Sequence, residues 1–209
     1  MAVVGIASAA RADFAPPEYR GAARSAWIEW EFLLPPCDYE ALFPDWTSFV
    51  GGGSLSMEVQ THAQVGSCQQ WRWVPEDLDG GIGPAADATD RQISFIVQNW
   101  TAQVPATFLR VQMSWLGDLP PVVLRTEGSD LGGEAVLFKQ IRRVEIDDHH
   151  FYEDWVAYPS PVHESVVFDV PEGTVIDEVT IDTWATVPTP AGSLALIGAA
   201  IVLLSVRHR

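Results

Sequence analysis

Hydrophobicity that repeats every second residue, in short segments along most of the chain, is the feature that most constrains the fold. In the stretch AWIEWEFL, Ile28, Trp30 and Phe32 fall on one face of an extended chain. The same alternation occurs in the segments LSMEVQT, QQWRWV, RQISFIVQNW, TFLRVQMSW, AVLFKQIRRVEI, ESVVFDV and TVIDEVTIDTW. Successive side chains of a strand point to opposite faces, so this period predicts β-strands with one buried face.

Clusters of glycine and proline separate these segments, and no stretch before the C-terminal tail has a helical period. The turn clusters are GGGS, PEDLDGGIGP, GDLPP, EGSDLGGE and VPEGT. Many short strands joined by such turns predict an all-β domain over residues 13–185, an antiparallel β-sandwich of the jelly-roll kind. In the last segment the alternation puts Val175, Asp177 and Val179 on one face and Ile176 on the other.

The charge of the chain excludes some classes of partner. With 12 Lys and Arg against 28 Asp and Glu, the formal net charge is −16. Nucleic-acid binding and docking on an anionic membrane surface both need clustered cations, so neither is expected. Two cysteines occur, Cys37 and Cys68, which we expect to form a disulfide if the domain is exported and to be buried thiols if it is cytosolic.

The C-terminus combines an apolar run with a basic end. Ala191 to Val206 contains no charged residue, and Arg207, His208 and Arg209 follow it directly. Sixteen helical residues span about 24 Å, against a hydrocarbon core of about 30 Å. A basic flank stays in the cytoplasm, so we expect a single transmembrane helix over 191–206, with the preceding domain on the outside.

A proline-containing stretch before this run carries a family resemblance. Val187, Pro188, Thr189 and Pro190, then the apolar helix, then the basic cluster, resemble the PEP-CTERM sorting signal, with Thr189 where that signal usually has glutamate. The match covers residues 186–209. The resemblance implies export by the Sec machinery and recognition by an exosortase, a membrane-embedded protease of the transpeptidase type. Such proteins are held transiently in the cytoplasmic membrane and then delivered to the cell surface or released, commonly in bacteria that make exopolysaccharide.

Three alternatives to this signal have different sequence requirements. A plain C-terminal anchor needs only the apolar run. A GPI signal should end apolar, whereas this chain ends in Arg-His-Arg, and a cell-wall sortase signal needs Leu-Pro-x-Thr-Gly, which does not occur. At the other end, residues 1–12 resemble a signal peptide: a short apolar stretch ends in Ala10-Arg11-Ala12, which places Asp13 at the mature N-terminus. The missing basic residues would come from a start upstream of Met1.

Two acidic segments are candidates for cation binding. PEDLDGGIGPAADATD offers oxygen ligands of the kind that calcium prefers, but lacks EF-hand spacing, so the main expectation is a hairpin loop. EIDDHHFYED contains His149 and His150, which point to opposite faces on a strand, so we expect a solvated acidic loop and no metal site. The aspartates of the first segment are Asp77, Asp79, Asp87 and Asp90.

No catalytic motif is present, so we expect no enzyme activity. A Gly-x-Ser-x-Gly elbow, an HExxH helix and a phosphate-binding glycine loop are all missing. Nine tryptophans are more than usual, and exposed tryptophan can stack on sugars. Trp27, Trp100 and Trp184 lie opposite apolar faces and are the candidates. Three functions follow: a structural or interaction protein of the envelope or polysaccharide matrix, a carbohydrate-binding module that acts with or without calcium, and an extracellular hydrolase.

Overall fold

The structure is a computed structural model in which twelve strands and no α-helix occur among the described residues. It describes residues 15–32, 42, 44, 46–50, 60–65, 70–76, 79–100, 104–118, 120–127 and 136–185. The strands are β1 (Ser25–Trp30), β2 (Trp46–Phe49), β3 (His62–Val65), β4 (Trp71–Glu76), β5 (Asp79–Pro84), β6 (Gln92–Gln98), β7 (Thr107–Leu116), β8 (Val122–Glu127), β9 (Leu137–Asp147), β10 (His150–Tyr158), β11 (His163–Asp169) and β12 (Val175–Ala185).

The strands form two antiparallel sheets packed together. The larger sheet has the order β2-β1-β12-β7-β10-β9, and β5 joins it by pairing with both β12 and β4. The smaller sheet has the order β3-β6-β11-β8. The predicted antiparallel β-sandwich is therefore confirmed at the level of two facing sheets. Its centre is β12, the last strand, which lies between β1 and β7.

The core lies between the sheets and is rich in aromatic rings. Trp30 of the larger sheet and Phe95 of the smaller one are buried, and their rings meet edge to face at 4.9 Å. Phe95 also contacts Phe168 at 5.6 Å, again edge to face. The indole Nε1 of Trp30 donates to the carbonyl oxygen of Leu42 at 3.2 Å, so its one polar atom is satisfied. The alternation of Ile28, Trp30 and Phe32 toward the core is confirmed.

The acidic segment EIDDHHFYED is not a solvated loop. It forms the end of β9, a tight turn at Asp148 and His149, and the start of β10. Phe151 of the segment is fully buried, and the carboxylate of Glu153 is almost as buried. The prediction was wrong because aromatic residues follow the charges at once, and their burial draws the charged residues into a hairpin.

The segment expected to be a glycine-rich hairpin loop instead contains strand β5. Ile82 of β5 is fully buried and lies opposite Ile176 of β12. The glycines on either side of it allow this approach: a Cβ at Gly81 would collide with Ile176, and one at Gly83 with the carbonyl oxygen of Thr174. Glycine here permits close contact of two backbones rather than marking a loop.

A β-bulge in β12 changes which residues share a face. The register with β7 shifts between Ile176 and Glu178, so Asp177 is an extra residue. Ile176 therefore lies in the core together with Val179, contrary to the strict alternation expected from the sequence. The side chain of Asp177 accepts a hydrogen bond from Ser114 at 3.0 Å.

Several predictions fall on residues outside those described. They are the signal peptide at 1–12, the pair Cys37 and Cys68, Asp77, the segment LSMEVQT except its last two residues, the sorting motif 187–190, the transmembrane helix 191–206 and the basic tail 207–209. Within the described part of the chain, no helix is long and apolar enough to cross a membrane.

Candidate functional site

The larger sheet has a second face, formed by the side chains that alternate with its core residues, and we call it the outer face. One row of residues crosses this face from strand to strand. Its members lie directly opposite one another in the sheet register: Trp27, Asp182, Arg110, Asp154 and Arg142. Charges of opposite sign alternate along this row, an arrangement that stabilises neighbouring strands.

Residues Ala15–Arg20, which we call the N-terminal strap, lie against the outer face. The backbone N–H of Ala15 donates to Gln112 Oε1 at 2.9 Å, and Arg110 Nη1 donates to the carbonyl oxygen of Ala15 at 2.7 Å. Farther along, the Tyr19 hydroxyl donates to the backbone oxygen of Asp182 at 3.4 Å. One end of the strap therefore contacts β7, and the other end contacts β12.

Asp182 is the polar centre of this arrangement. Its side chain is fully buried, and its carboxylate accepts two hydrogen bonds from the guanidinium of Arg20, at 2.5 and 2.6 Å. Gln112 Nε2 adds a contact of 3.3 Å to Oδ2. A buried carboxylate needs such partners because its desolvation is costly. Burial first, and the Asp182 and Asp154 carboxylates second, hold the pKa of the Tyr19 hydroxyl well above its usual range.

A second charged group lies one strand further along the row. Asp154 accepts hydrogen bonds from Arg110 Nε at 2.7 Å and Arg142 Nε at 2.6 Å. Burial alone would raise the pKa of Asp154, but these two hydrogen bonds and the positive charges of both arginines together outweigh it and lower the pKa. The guanidinium groups of both arginines lie over the ring of Tyr152, at 4.2 and 5.2 Å from its centroid. Each such cation–π contact contributes about 0.5–2 kcal/mol.

The structure brings two of the three candidate tryptophans to the outer face. Trp27 and Trp184 are half-buried and lie on the adjacent strands β1 and β12. Protein groups already occupy them: Tyr19 stacks on Trp184 at 5.5 Å, Phe108 stacks on it at 5.8 Å, and the Arg20 guanidinium lies 4.8 Å from the Trp27 ring. The strap thus fills positions that a flat ligand would take.

The expectation that Trp100 is exposed is wrong. Its side chain is only 3 % exposed, and its ring packs edge to face on Phe49 at 6.2 Å. Trp100 follows the last residue of β6 by two positions, so the alternation of that strand no longer sets its direction. A buried indole cannot stack on a sugar, and this residue belongs to the core.

A separate polar cluster is buried at one end of the smaller sheet. Its centre is the Asn99 amide, whose Nδ2 donates to Glu164 Oε1 at 2.9 Å and to the carbonyl oxygen of Pro161 at 3.0 Å. Thr107 Oγ1 lies 3.0 Å from the same nitrogen and 2.6 Å from Ser160 Oγ. Glu164 is fully buried, and its Oε2 has no hydrogen-bond partner among the described residues. Burial raises the pKa of Glu164 well above its usual range.

The candidate cation ligands do not come together in the part of the chain that is described. Asp90 Oδ1 accepts a hydrogen bond from the backbone of Gln92, and Asp87 is exposed in a turn. His149 lies in the β9–β10 turn, and His150 Nδ1 contacts Asp147 at 2.7 Å. No group of three or more His, Cys, Asp or Glu side chains there could hold a metal ion.

The strap and its contacts are the part of this site that the sequence did not reveal. Tyr19 and Asp182 are 163 positions apart, and nothing in their local sequence links them. Glu164 did leave a signal, because it alternates with the core residues Val166 and Phe168 and so falls on a buried face.

The chain matches no protein-family model, no curated protein and no solved structure.

Proposed function

We propose that this chain is an exported β-sandwich protein that acts at the cell surface in a structural or interaction role. The observation that carries the proposal is the three-part C-terminus, in which Val-Pro-Thr-Pro, an apolar run and Arg-His-Arg follow one another. On this proposal, the 191–206 helix stops in the cytoplasmic membrane after Sec export, and an exosortase then processes the chain near Pro190.

The chemistry of the described domain supports a role without catalysis. The charged side chains of the outer face are engaged with one another, since Arg20 binds Asp182, and Asp154 binds Arg110 and Arg142. Groups engaged in this way hold the strap and the strands together. A net charge of −16 also suits a protein that must stay soluble outside the cell.

The test is the intact mass of the protein recovered from its native host, with and without the exosortase. We expect loss of residues 1–12 and of the tail beyond about residue 190 in normal cells, and retention of the tail in the mutant. Pro190→Ala should also retain the tail, whereas the control Thr186→Ala, just outside the motif, should be processed normally. An intact C-terminus in both strains would contradict the proposal and indicate a plain membrane anchor.

A second candidate function is carbohydrate binding on the outer face. It is favoured by the placement of Trp27 and Trp184 on adjacent strands, where both rings are only partly buried. Because Tyr19 and Arg20 cover these rings in part, a sugar would stack on what remains exposed or displace the strap. A glycan array is the assay.

The array needs one variant of the site and one control. Trp184→Ala should abolish a glycan signal, while Tyr158→Ala, which removes a well-exposed aromatic ring at the end of β10, should leave it unchanged. Loss of the signal in EDTA alone would indicate that calcium takes part. Binding that survives Trp184→Ala would contradict a role for this face.

A further inference from the structure

Among the residues whose exposure is described, the large exposed hydrophobic side chains lie at one edge of the sandwich. Where exposure is described, five large hydrophobic side chains are 48–59 % exposed: Val122, Leu137, Ile141, Ile146 and Tyr158. Three of them lie on β9, one begins β8 and one ends β10. Tyr158 and Leu137 are directly opposite each other in the register. Scattered single residues need no explanation, but a set restricted to one edge indicates a contact surface.

Strand β9 is the outermost strand at this edge. It is eleven residues long, and among the described strands it pairs with β10 alone. Its second side therefore carries a row of backbone N–H and C=O groups that can pair with another strand. Three of its eleven side chains are partly buried. The other eight are exposed: Leu137, Lys139–Arg142 and Glu145–Asp147.

The charges of β9 are divided between its two ends. Its N-terminal half carries Lys139, the only lysine of the chain, with Arg142 and Arg143 near the middle, while Glu145 and Asp147 lie toward its C-terminal end. Two such strands side by side in parallel would place like charges together. In the antiparallel arrangement the basic end of each strand lies beside the acidic end of the other.

The pairing of β9 with β10 shows which charges share a face. Lys139 lies opposite Val156 and Asp147 lies opposite His150, and these two β10 residues are on the outer face. Glu145 instead lies opposite Phe151, which points into the core. Along the chain, Lys139 and Asp147 each lie four residues from Arg143. An antiparallel pair of β9 strands centred on Arg143 therefore brings Lys139 of each copy beside Asp147 of the other on one face.

Both charges are available for this contact. Lys139 is exposed and has no ion-pair partner among the residues that the structure describes. A hydrogen bond from the backbone of His149 and another from the His150 ring lower the pKa of Asp147, so that its carboxylate is ionised near neutral pH. Arg143, at the centre, is neutralised within its own chain by Glu153 at 3.0 Å, which limits repulsion between the two copies.

We propose that two copies of this chain form a symmetric dimer by antiparallel pairing of their β9 strands, with Lys139 of each copy beside Asp147 of the other. The larger sheets then continue across a two-fold axis at Arg143, and the exposed edge residues Leu137, Ile141 and Ile146 are covered. Such an interface is isologous and closes on itself.

Two β-bulges restrict the pairing to few registers. The register with β10 skips Ile141 and Ile146, so each is an extra residue on β9. Bulges and lysines are common devices against indiscriminate pairing of edges. They leave room for a partner whose charges match, and a second copy of the same strand provides such charges.

Reversing the charges tests the dimer. We would measure the mass of the full chain by sedimentation in a density-matched detergent solution, for the wild type, Lys139→Glu, Asp147→Lys and the double variant. Each single change puts two like-charged pairs into the interface and should weaken the dimer by roughly tenfold or more, whereas the double change restores opposite charges and should recover it. The control is Asp87→Lys, the same charge change in an exposed turn outside β9.

The double variant also controls for folding, since it contains both substitutions. A wild-type chain that is monomeric across micromolar concentrations would overturn the proposal. So would a dimer that both single variants leave unchanged, because association through the apolar tail or another surface would not follow the charges of β9. A double variant that folds but does not regain the dimer would equally exclude this register.

Discussion

Replacing Glu164 with glutamine should stabilise the domain, and increasingly so as the pH rises. Glu164 is fully buried, its pKa is raised by that burial, and no cation pairs with it among the described residues. An unfolded glutamate has a pKa of about 4.3. The contribution of Glu164 to stability is therefore fully present below about pH 4, and it is lost as the pH rises through the higher pKa of the folded state.

The size of the effect follows from the protons involved. Between the two pKa values the folded chain holds one proton more than the unfolded chain, so the unfolding constant rises tenfold per pH unit. Each pH unit that lies between the two pKa values therefore costs the wild type about 1.4 kcal/mol relative to Glu164→Gln. Glutamine keeps the acceptor for Asn99 Nδ2 and has no proton to lose.

Urea unfolding followed by tryptophan fluorescence, at several pH values between about 5 and 8, measures this difference. The free energies of unfolding of wild type and Glu164→Gln should diverge with pH, while the control Glu172→Gln, at an exposed turn, should track the wild type. Other titrating groups are common to all three proteins and cancel in the differences. Parallel curves for wild type and Glu164→Gln would refute the argument that burial keeps this carboxyl protonated.

Three further changes probe the strap, the core and the β5 contact. Arg20→Ala leaves the buried Asp182 carboxylate without its guanidinium and should cost about 2–4 kcal/mol in urea unfolding; a loss near zero would mean that the strap does not stabilise the sheet. Phe95→Ala should cost about 3–5 kcal/mol by the same assay, and a cost below 1 kcal/mol would contradict its central place in the core. Gly83→Ala pushes a Cβ into the carbonyl oxygen of Thr174 and should lower the Tm by several degrees in a circular dichroism melt, with an unchanged Tm excluding the close approach.

Local alternation was enough to predict the sandwich, because one face of each strand is apolar. The burial of Ile28, Trp30 and Phe32 follows directly from their spacing. The β9–β10 hairpin was missed because Asp147 and Asp148 made the segment look solvated, although the turn needs only two residues. Charge near a tight turn says little about the strands that enter and leave it.

The outer face could be predicted only in part. Spacing placed Trp27 and Trp184 opposite the core faces of their strands, and both lie there. What covers them could not be inferred, because the strap reaches Asp182 from the far end of the chain. The bulge at Asp177 was likewise invisible, since it depends on how β12 meets β7 and not on its own sequence.

The central position of β12 has a consequence for how the chain reaches its folded state. This strand is the last of the twelve, yet it lies between β1 and β7 and holds both in the larger sheet. During synthesis from the N-terminus onward, β1 can pair early with β2, but its other partner, β12, follows more than a hundred residues later. Such long-range closure slows folding, to times of milliseconds to seconds for all-β domains. Until β12 emerges, β1 and β7 each present one unpaired edge, and such edges favour aggregation.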